Sequence, residues 1–283
     1  MGPHTHEVTM GRSTVSKKFS TWADDEARRE WACLTLLAEH APGLAPRPLE
    51  RFCEADAPVI VMEKLTGRPL GGSSLTSVQH EALGHALRRL FDVSVNAALE
   101  AGVPERRLGP RDLMAHLRNA LRDPIDDDAC IHPDVVRRAL QAARDRVSSV
   151  QDAPNLCSTA VGIADLNPAN VLWDGRRCRL VDFEDGGLTT PAFDLADHLE
   201  HIAARTRNLY DEAQLSRAVG LTRDERTHLA EHRVLWAVFW LLALLPGSSA
   251  HARNPEGTLE VQAEHVLDLI QSSKDLPGAA QSP

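Results

Sequence analysis

The sequence offers no cysteine pair. Its five cysteines (Cys33, Cys53, Cys130, Cys157 and Cys178) are scattered and odd in number, with no Cys-x-x-Cys. That pattern excludes a disulfide framework or zinc ribbon and points to reduced thiols in a cytoplasm. Long apolar runs are also missing. The longest, Val234–Leu245, has 12 residues, too few to span a bilayer and suited to a buried helix. Met1–Thr21 is polar and lacks the apolar core of a signal peptide. Positive charge is in deficit: 31 Lys and Arg against 40 Asp and Glu leave a net charge of −9. Nucleic acid is therefore not the expected partner, because phosphate binding needs clustered Lys and Arg, whereas a cationic small molecule would suit the balance. There is no GxxxxGK[ST], GxGxxG or GxSxG, which sets aside P-loop, Rossmann and nucleophile-elbow enzymes. No internal repeat is evident. Monomer and homodimer both remain open.

What is present is a chain of 283 residues, long enough for one large domain or two lobes. His6–Met10 and Thr14–Phe19 read as short strands about Gly11-Arg12, a hairpin. Asp24 to His40 reads as a helix, with Ala27, Glu30, Leu34 and Leu37 on one stripe. Three prolines and a glycine in 41–48 end it. Val59–Met62 is an unbroken apolar run of strand type, and Thr66-Gly-Arg-Pro69 a turn marking a lobe boundary. Beyond it, helix-period patterns cover Val78–Ala101, Arg111–Leu121, Pro133–Val150, a stretch ending at Ile202, Thr222–Leu245 and Leu259–Ile270. The tail Ser272–Pro283 reads as flexible. Within this helical region Val171–Trp173 and Cys178–Phe183 flank Asp174-Gly-Arg176, a second hairpin signal. The expectation is a small N-terminal part, 1–65, and a larger helical part, 66–283.

Chemistry concentrates in 162–185, GIADLNPANVLWDGRRCRLVDFED. A tight turn at 174–176 sets Asn170 opposite 179–181, so Asp182 emerges beside it. Asp165 precedes Asn170 by five residues. Two carboxylates and an amide are the oxygen donors that Mg²⁺ prefers. One carboxylate can meet a substrate hydroxyl while the others hold metal, the division of labour of phosphoryl transfer. Glu30 adds an independent clue. It lies on the inward stripe of its helix, where an unpaired charge is costly, so a buried cation must face it.

These residues resemble the aminoglycoside phosphotransferase family, whose pattern runs roughly HGDLxxxNVLxD…xIDFED. Pro191-Ala-Phe-Asp-Leu-Ala196 matches its next motif. The resemblance covers about 14–66 and 161–198 and implies an α+β, bilobal, protein-kinase-like fold: a small sheet-plus-helix N-lobe and a mainly helical C-lobe carrying a catalytic hairpin. It implies Asp165 as the base, Asn170 and Asp182 as Mg²⁺ ligands, and Asp194 as a brace of the catalytic loop. Lys17, or Lys18 one residue on, would contact the nucleotide phosphates with Glu30 as its partner. The backbone of Val61–Leu65, with Glu63 and Leu65, would meet the base of ATP or GTP. The reaction implied is transfer of the γ-phosphoryl group to a hydroxyl of a small molecule, an aminoglycoside or related natural product.

The sequence also departs from that pattern. Ile163-Ala164 stands where the family has His-Gly, and only Gly11 and one short strand precede the lysine strand, which implies an abbreviated phosphate lid. A catalytically impaired, pseudokinase-like binding protein is the alternative these departures raise. His228-Leu-Ala-Glu-His232 matches a zinc-protease motif, yet too little chain follows it for a supporting domain. His198 and His201, beside Glu200, read as helix-surface or substrate-cleft residues rather than metal ligands.

Overall fold

In the computed structural model, residues 6–20, 25–72, 74–122, 130–150 and 158–274 are described. Asp24, Cys157 and residues 275–283, on which some expectations fell, lie outside them. The chain starts with β1 (Glu7–Met10) and β2 (Thr14–Lys18), joined at Gly11. The helix α1 (Glu26–His40) follows, then β3 (Pro48–Glu54) and β4 (Ala57–Glu63). The four strands form one antiparallel sheet in the order β1-β2-β4-β3. The sequence pattern shows no β3. It is an edge strand, exposed along nearly its whole length, so it carries no apolar alternation to read. It begins at Pro48, a position where the missing N–H costs nothing, and turns through Ala55 and Asp56, both with positive φ, as a tight hairpin demands. Cross-strand pairing puts Val8, Lys17 and Ile60 on one face and, two residues along, Met10, Val15 and Met62. That face lies over α1 and the lobe junction.

Arg68–Pro69, read as a turn, forms a short strand β5 that pairs with the second hairpin. The helical region then opens with α2 (Ser77–Phe91) and α3 (Val95–Glu100). One continuous helix was expected here. Ser94 divides it by accepting the Ala97 N–H as an N-cap, the role for which serine is favoured over helix interiors. Next come α4 (Pro110–Ala120) and α5 (Pro133–Ser149), each with proline in its first turn, where its lack of an N–H is harmless.

β6 (Ala160–Gly162) leads through a 3₁₀ turn, Pro168–Asn170, to the hairpin β7 (Val171–Trp173) and β8 (Cys178–Leu180). Asp174 accepts the N–H groups of Arg176 and Arg177 at 2.9 and 3.0 Å, closing the turn. Trp173 pairs with Cys178, and β8 ends earlier than its apolar run suggests because Asp182 takes φ 73°. β9 (Gly187–Thr189) returns beside β6.

The remainder is α6 (Pro191–Glu200), α7 (Ile202–Arg205), α8 (Glu212–Val219), α9 (Arg223–Ala243), α10 (Ser249–Arg253) and α11 (Thr258–Lys274). The sequence pattern misses α8 and α10, which are too short for a clear period, and α11 runs through 272–274, expected to be tail. α6 packs on α9, α2 on α8, and α11 across α5 and α9. The apolar run Val234–Leu245 lies mostly in α9, whose buried side includes Leu235, Trp236 and Val238. Among the described residues no helix is long and apolar enough to cross a membrane.

Two glycines let the chain close on the site. A Cβ on Gly162 would sit 2.4 Å from Asp194 Oδ1 and 2.6 Å from Thr189 Cγ2, and one on Gly187 would sit 2.3 Å from the carbonyl oxygen of Pro104. No real Cβ fits there. Gly162→Ala is therefore expected to lower stability by about 1–3 kcal/mol, read as a lower midpoint in thermal or denaturant unfolding; an unchanged midpoint would mean that the β6 backbone can move aside freely.

Candidate active site

The loop after β6 is held in an unfavourable shape. Ala164 and Asp165 have φ 53° and 21°, and left-handed backbone costs an L-residue roughly 1–2 kcal/mol. Asp194, in the first turn of α6, compensates. Its carboxylate accepts the N–H groups of Ile163 and Ala164, each at 3.2 Å. Arg106 donates to it at 2.9 Å and His198 at 3.1 Å. Burial works to raise its pKa, but His198, Arg106 and the backbone donors win and hold it at about 2. Arg106 also reaches Asp197 at 2.6 Å, its guanidinium resting against the neighbouring rings of Phe193 and Trp236. His198, with no exposed surface, is thus a core residue rather than a helix-surface one.

Asp165 stands at the rim of this loop. One carboxylate oxygen lies 3.0 Å from His201 Nε2. Burial pushes its pKa up, but the His201 hydrogen bond and charge outweigh it, with His198 and Arg106 adding to them, and the net shift is downward. Asn170 donates from its side-chain amide to the Asp165 carbonyl at 3.2 Å, which leaves Oδ1 as the atom suited to a cation. The Asn170 carbonyl in turn takes the Val181 N–H at 2.9 Å, setting Asn170 next to Asp182.

Lys17 joins this assembly from the sheet. Its ammonium lies 2.8 Å from Glu30, 2.5 Å from Asp182 and 2.5 Å from Glu184. Burial alone would lower its pKa; the three carboxylates override it and raise it, so the group stays a cation. Lys18, the other candidate, projects outward to Glu54. Glu30 has its buried partner, as its place on the inward stripe required. The carboxylate oxygens of Glu30, Asp182 and Glu184 lie within 4.8 Å of one another. One ammonium cannot balance three such groups: burial first, then Asp182, pushes Glu184 up to about 8. A surplus of hard oxygen donors is what a divalent cation needs, and the residues present fit Mg²⁺. His6 closes the cluster, with Nε2 at 3.0 Å from Glu184 and 3.2 Å from Glu26.

The end of β4 and the connection after it carry Glu63 and Leu65. The N–H groups of Glu63 and Lys64 are bound by the carbonyls of Arg47 and Ser13. Glu63 is exposed and Leu65 half-buried. Helix α1, which carries Glu30, is tied to the other lobe: Arg29 donates to the Gly186 carbonyl at 2.9 Å, and Arg107 lies 3.3 Å from Glu26 and 3.2 Å from Asp185. His232 packs its ring edgewise on Phe193, and burial drops its pKa to about 4.

The sequence reading missed Arg106 and Arg107 as members of this assembly; Glu184 could be read from sequence equally as a metal or acceptor aid and as a surface carboxylate, and His201 equally as a helix-surface and as a substrate-cleft residue. Nothing marks Arg106 in Glu105-Arg-Arg-Leu-Gly109, where its neighbour is chemically identical. Removing it should leave two buried carboxylates under-compensated, so Arg106→Met is expected to cost about 3–5 kcal/mol. A carboxylate with a lowered pKa adds stability above its unfolded value of about 3.9 and loses it as pH falls toward the folded value. Arg106 helps to hold Asp194, not the raised Asp197, below its usual range, so the variant's deficit against the wild type should be largest near neutral pH and shrink as pH falls below about 3.9; identical urea profiles at pH 7 would show that Arg106 carries no such load.

Known proteins share this architecture. A family model described as the phosphotransferase enzyme family matches residues 7–233. No sequence relative is found among curated proteins. Among solved structures, the GDP complex of wild-type aminoglycoside 2'-phosphotransferase-IIIa superposes with a TM-score of 0.63 at 18% identity, covering 97% of this chain and 91% of that one. A choline/ethanolamine kinase family protein from Mesorhizobium loti gives 0.62 at 18%, with 98% and 87% covered. Spectinomycin phosphotransferase in complex with ADP and spectinomycin gives 0.59 at 12%, with 96% and 94% covered. At such identities the likeness establishes the fold, α+β and bilobal in the kinase-like manner. The family match spans most of the chain, and on it the chain belongs to the phosphotransferase enzyme family.

Proposed function

We propose that the protein transfers the γ-phosphoryl group of ATP or GTP to a hydroxyl of a small molecule. The observation that carries this reading is the junction of Lys17, paired with Glu30, with Asp182 at 2.5 Å, beside the loop that bears Asp165 and Asn170. Asn170 and Asp182 would hold Mg²⁺, and Glu184 lies within reach of the same cluster. When bound, the metal would neutralise phosphate charge; Lys17, paired with Glu30, would meet a phosphate oxygen. Asp165 orients the acceptor hydroxyl and takes its proton as the new P–O bond forms; the bond to the β-phosphate oxygen breaks and the nucleoside diphosphate leaves. Val8, Val15 and Met62 supply an apolar face above the cleft, suited to a nucleobase whose edge meets the Glu63–Leu65 backbone.

The acceptor class we favour is an aminoglycoside or related natural product. In its support, two of the similar structures are phosphotransferases named for aminoglycosides and spectinomycin, and the chain's net charge of −9 suits a cationic acceptor. Against the missing-histidine argument for a pseudokinase stands the brace on the catalytic loop. Ile163 is buried, and the loop is braced through backbone N–H groups that every residue but proline supplies.

Calorimetric titration of Mg²⁺-ATP and Mg²⁺-GTP tests the reading. The wild type should bind at least one, Asp182→Ala should bind about tenfold or more weakly, and Asp165→Asn should bind as the wild type does. Turnover by Asp165→Asn on an aminoglycoside panel should fall by about 10²–10⁴. Full activity in that variant would remove Asp165 from the role of base, and undiminished binding by Asp182→Ala would move the metal site elsewhere.

A further inference from the structure

The imidazole that the family pattern places two residues before Asp165 is absent, and Ile163 fills that position with a side chain wholly inside the core. Another imidazole reaches the same carboxylate from a different element. His201 sits at the junction where α6 ends and α7 begins, with extended backbone, φ −55° and ψ 124°. Its Nδ1 accepts the Ala203 N–H at 3.2 Å. That bond assigns the ring proton of the neutral form to Nε2, and Nε2 is the atom 3.0 Å from Asp165 Oδ1. The ring is fixed from its side by Trp240, edge to face with centroids 5.0 Å apart. Only 7% of the His201 side chain is exposed, against 59% for Asp165. A nearly buried, doubly anchored donor thus holds one oxygen of a carboxylate that otherwise stands at the surface.

We infer that His201 is a positioning residue that fixes the Asp165 carboxylate for the acceptor hydroxyl, standing in for the loop histidine that this chain lacks. The inference rests on the reading of Asp165 as the base. One helix then grips the catalytic loop at two points. Asp194 at its start holds the backbone of Ile163 and Ala164, and His201 at its end holds the side chain of Asp165. The seven positions that separate them span about two turns. The division is physically sensible, because a backbone brace leaves the side-chain torsions of Asp165 free, and those torsions set where its oxygens lie. With Oδ1 committed to His201, the other oxygen is left to receive the proton.

The cap and the grip can be separated by substitution. In His201→Asn and His201→Ser a short oxygen can still cap α7, but neither side chain is long enough to reach Asp165; His201→Gln restores a donor at comparable reach. Hydrolysis of Mg²⁺-ATP with water as the acceptor gives a readout that needs no identified substrate. We expect kcat to fall about tenfold or more in the Asn and Ser variants, with KM for Mg²⁺-ATP within about twofold of the wild type, and the Gln variant to recover most of the rate. Wild-type kcat in a folded Asn or Ser variant, where Asp165→Asn is slow, would overturn the inference. Equal rates in Asp165→Asn and wild type would instead sink the base assignment on which it rests. A second readout requires no turnover. In protein labelled with ¹⁵N-histidine, the Nε2 proton of His201 should be shifted downfield and protected from exchange in the wild type and should lose both features in Asp165→Ala. A rapidly exchanging Nε2 proton in the wild type would overturn the contact itself.

Discussion

A carboxylate with no exposed surface has to be met by donors on every side, and Asp194 is met by two backbone amides, a guanidinium and an imidazole. The arrangement ties together parts of the chain that are far apart in sequence. Arg106 comes from the connection between α3 and α4, the amides from the loop after β6, and the histidine from the next turn of α6. The strained backbone at Ala164 and Asp165 persists because this surrounding over-determines it. Gly162 is bare for the same reason, since a side chain there would overlap the carboxylate.

The second concentration of charge obeys a different rule. Around Asp194 the donors suffice; around Lys17 the acceptors are in excess. Glu30 has one face on Lys17 and no exposure, so it is a fixed partner, whereas Asp182 and Glu184 are partly open to solvent. A cluster with one satisfied and two under-satisfied carboxylates is structured to accept further positive charge. Helix α1 contributes Glu30 without freedom to swing, because Arg29 and Glu26 on the same helix are engaged by the segment after Asp182 and by Arg107.

How much of this the sequence disclosed depended on the range of the contact. The hairpin of β7 and β8 was legible because Asp174-Gly175 states its turn locally, and Asn170 and Asp182 then meet by counting residues. Glu30 was legible because its helix puts it on the apolar stripe. The edge strand β3 was not, since it buries almost nothing, and Ser94 divides a helix that the apolar period alone would continue. Arg106 was invisible as a member of the site, and His201 could be placed no more closely than the helix surface or the cleft, for another reason: each acts on residues tens of positions away. The chain's other histidine-rich motif, 228–232, illustrates the reverse, a local pattern whose His232 simply packs on Phe193.

A brace that acts through main-chain amides is blind to side chains. Asp194 grips positions 163 and 164 by groups that every residue but proline possesses, so the loop keeps its path whether histidine and glycine or isoleucine and alanine occupy them. The side chains there answer to other constraints: position 163 is buried in the core, and position 164, at φ 53°, is strained for any residue but glycine. A contact of this kind lets shape outlast text: at 12–18% identity the chain still superposes on proteins of known structure over nearly its full length.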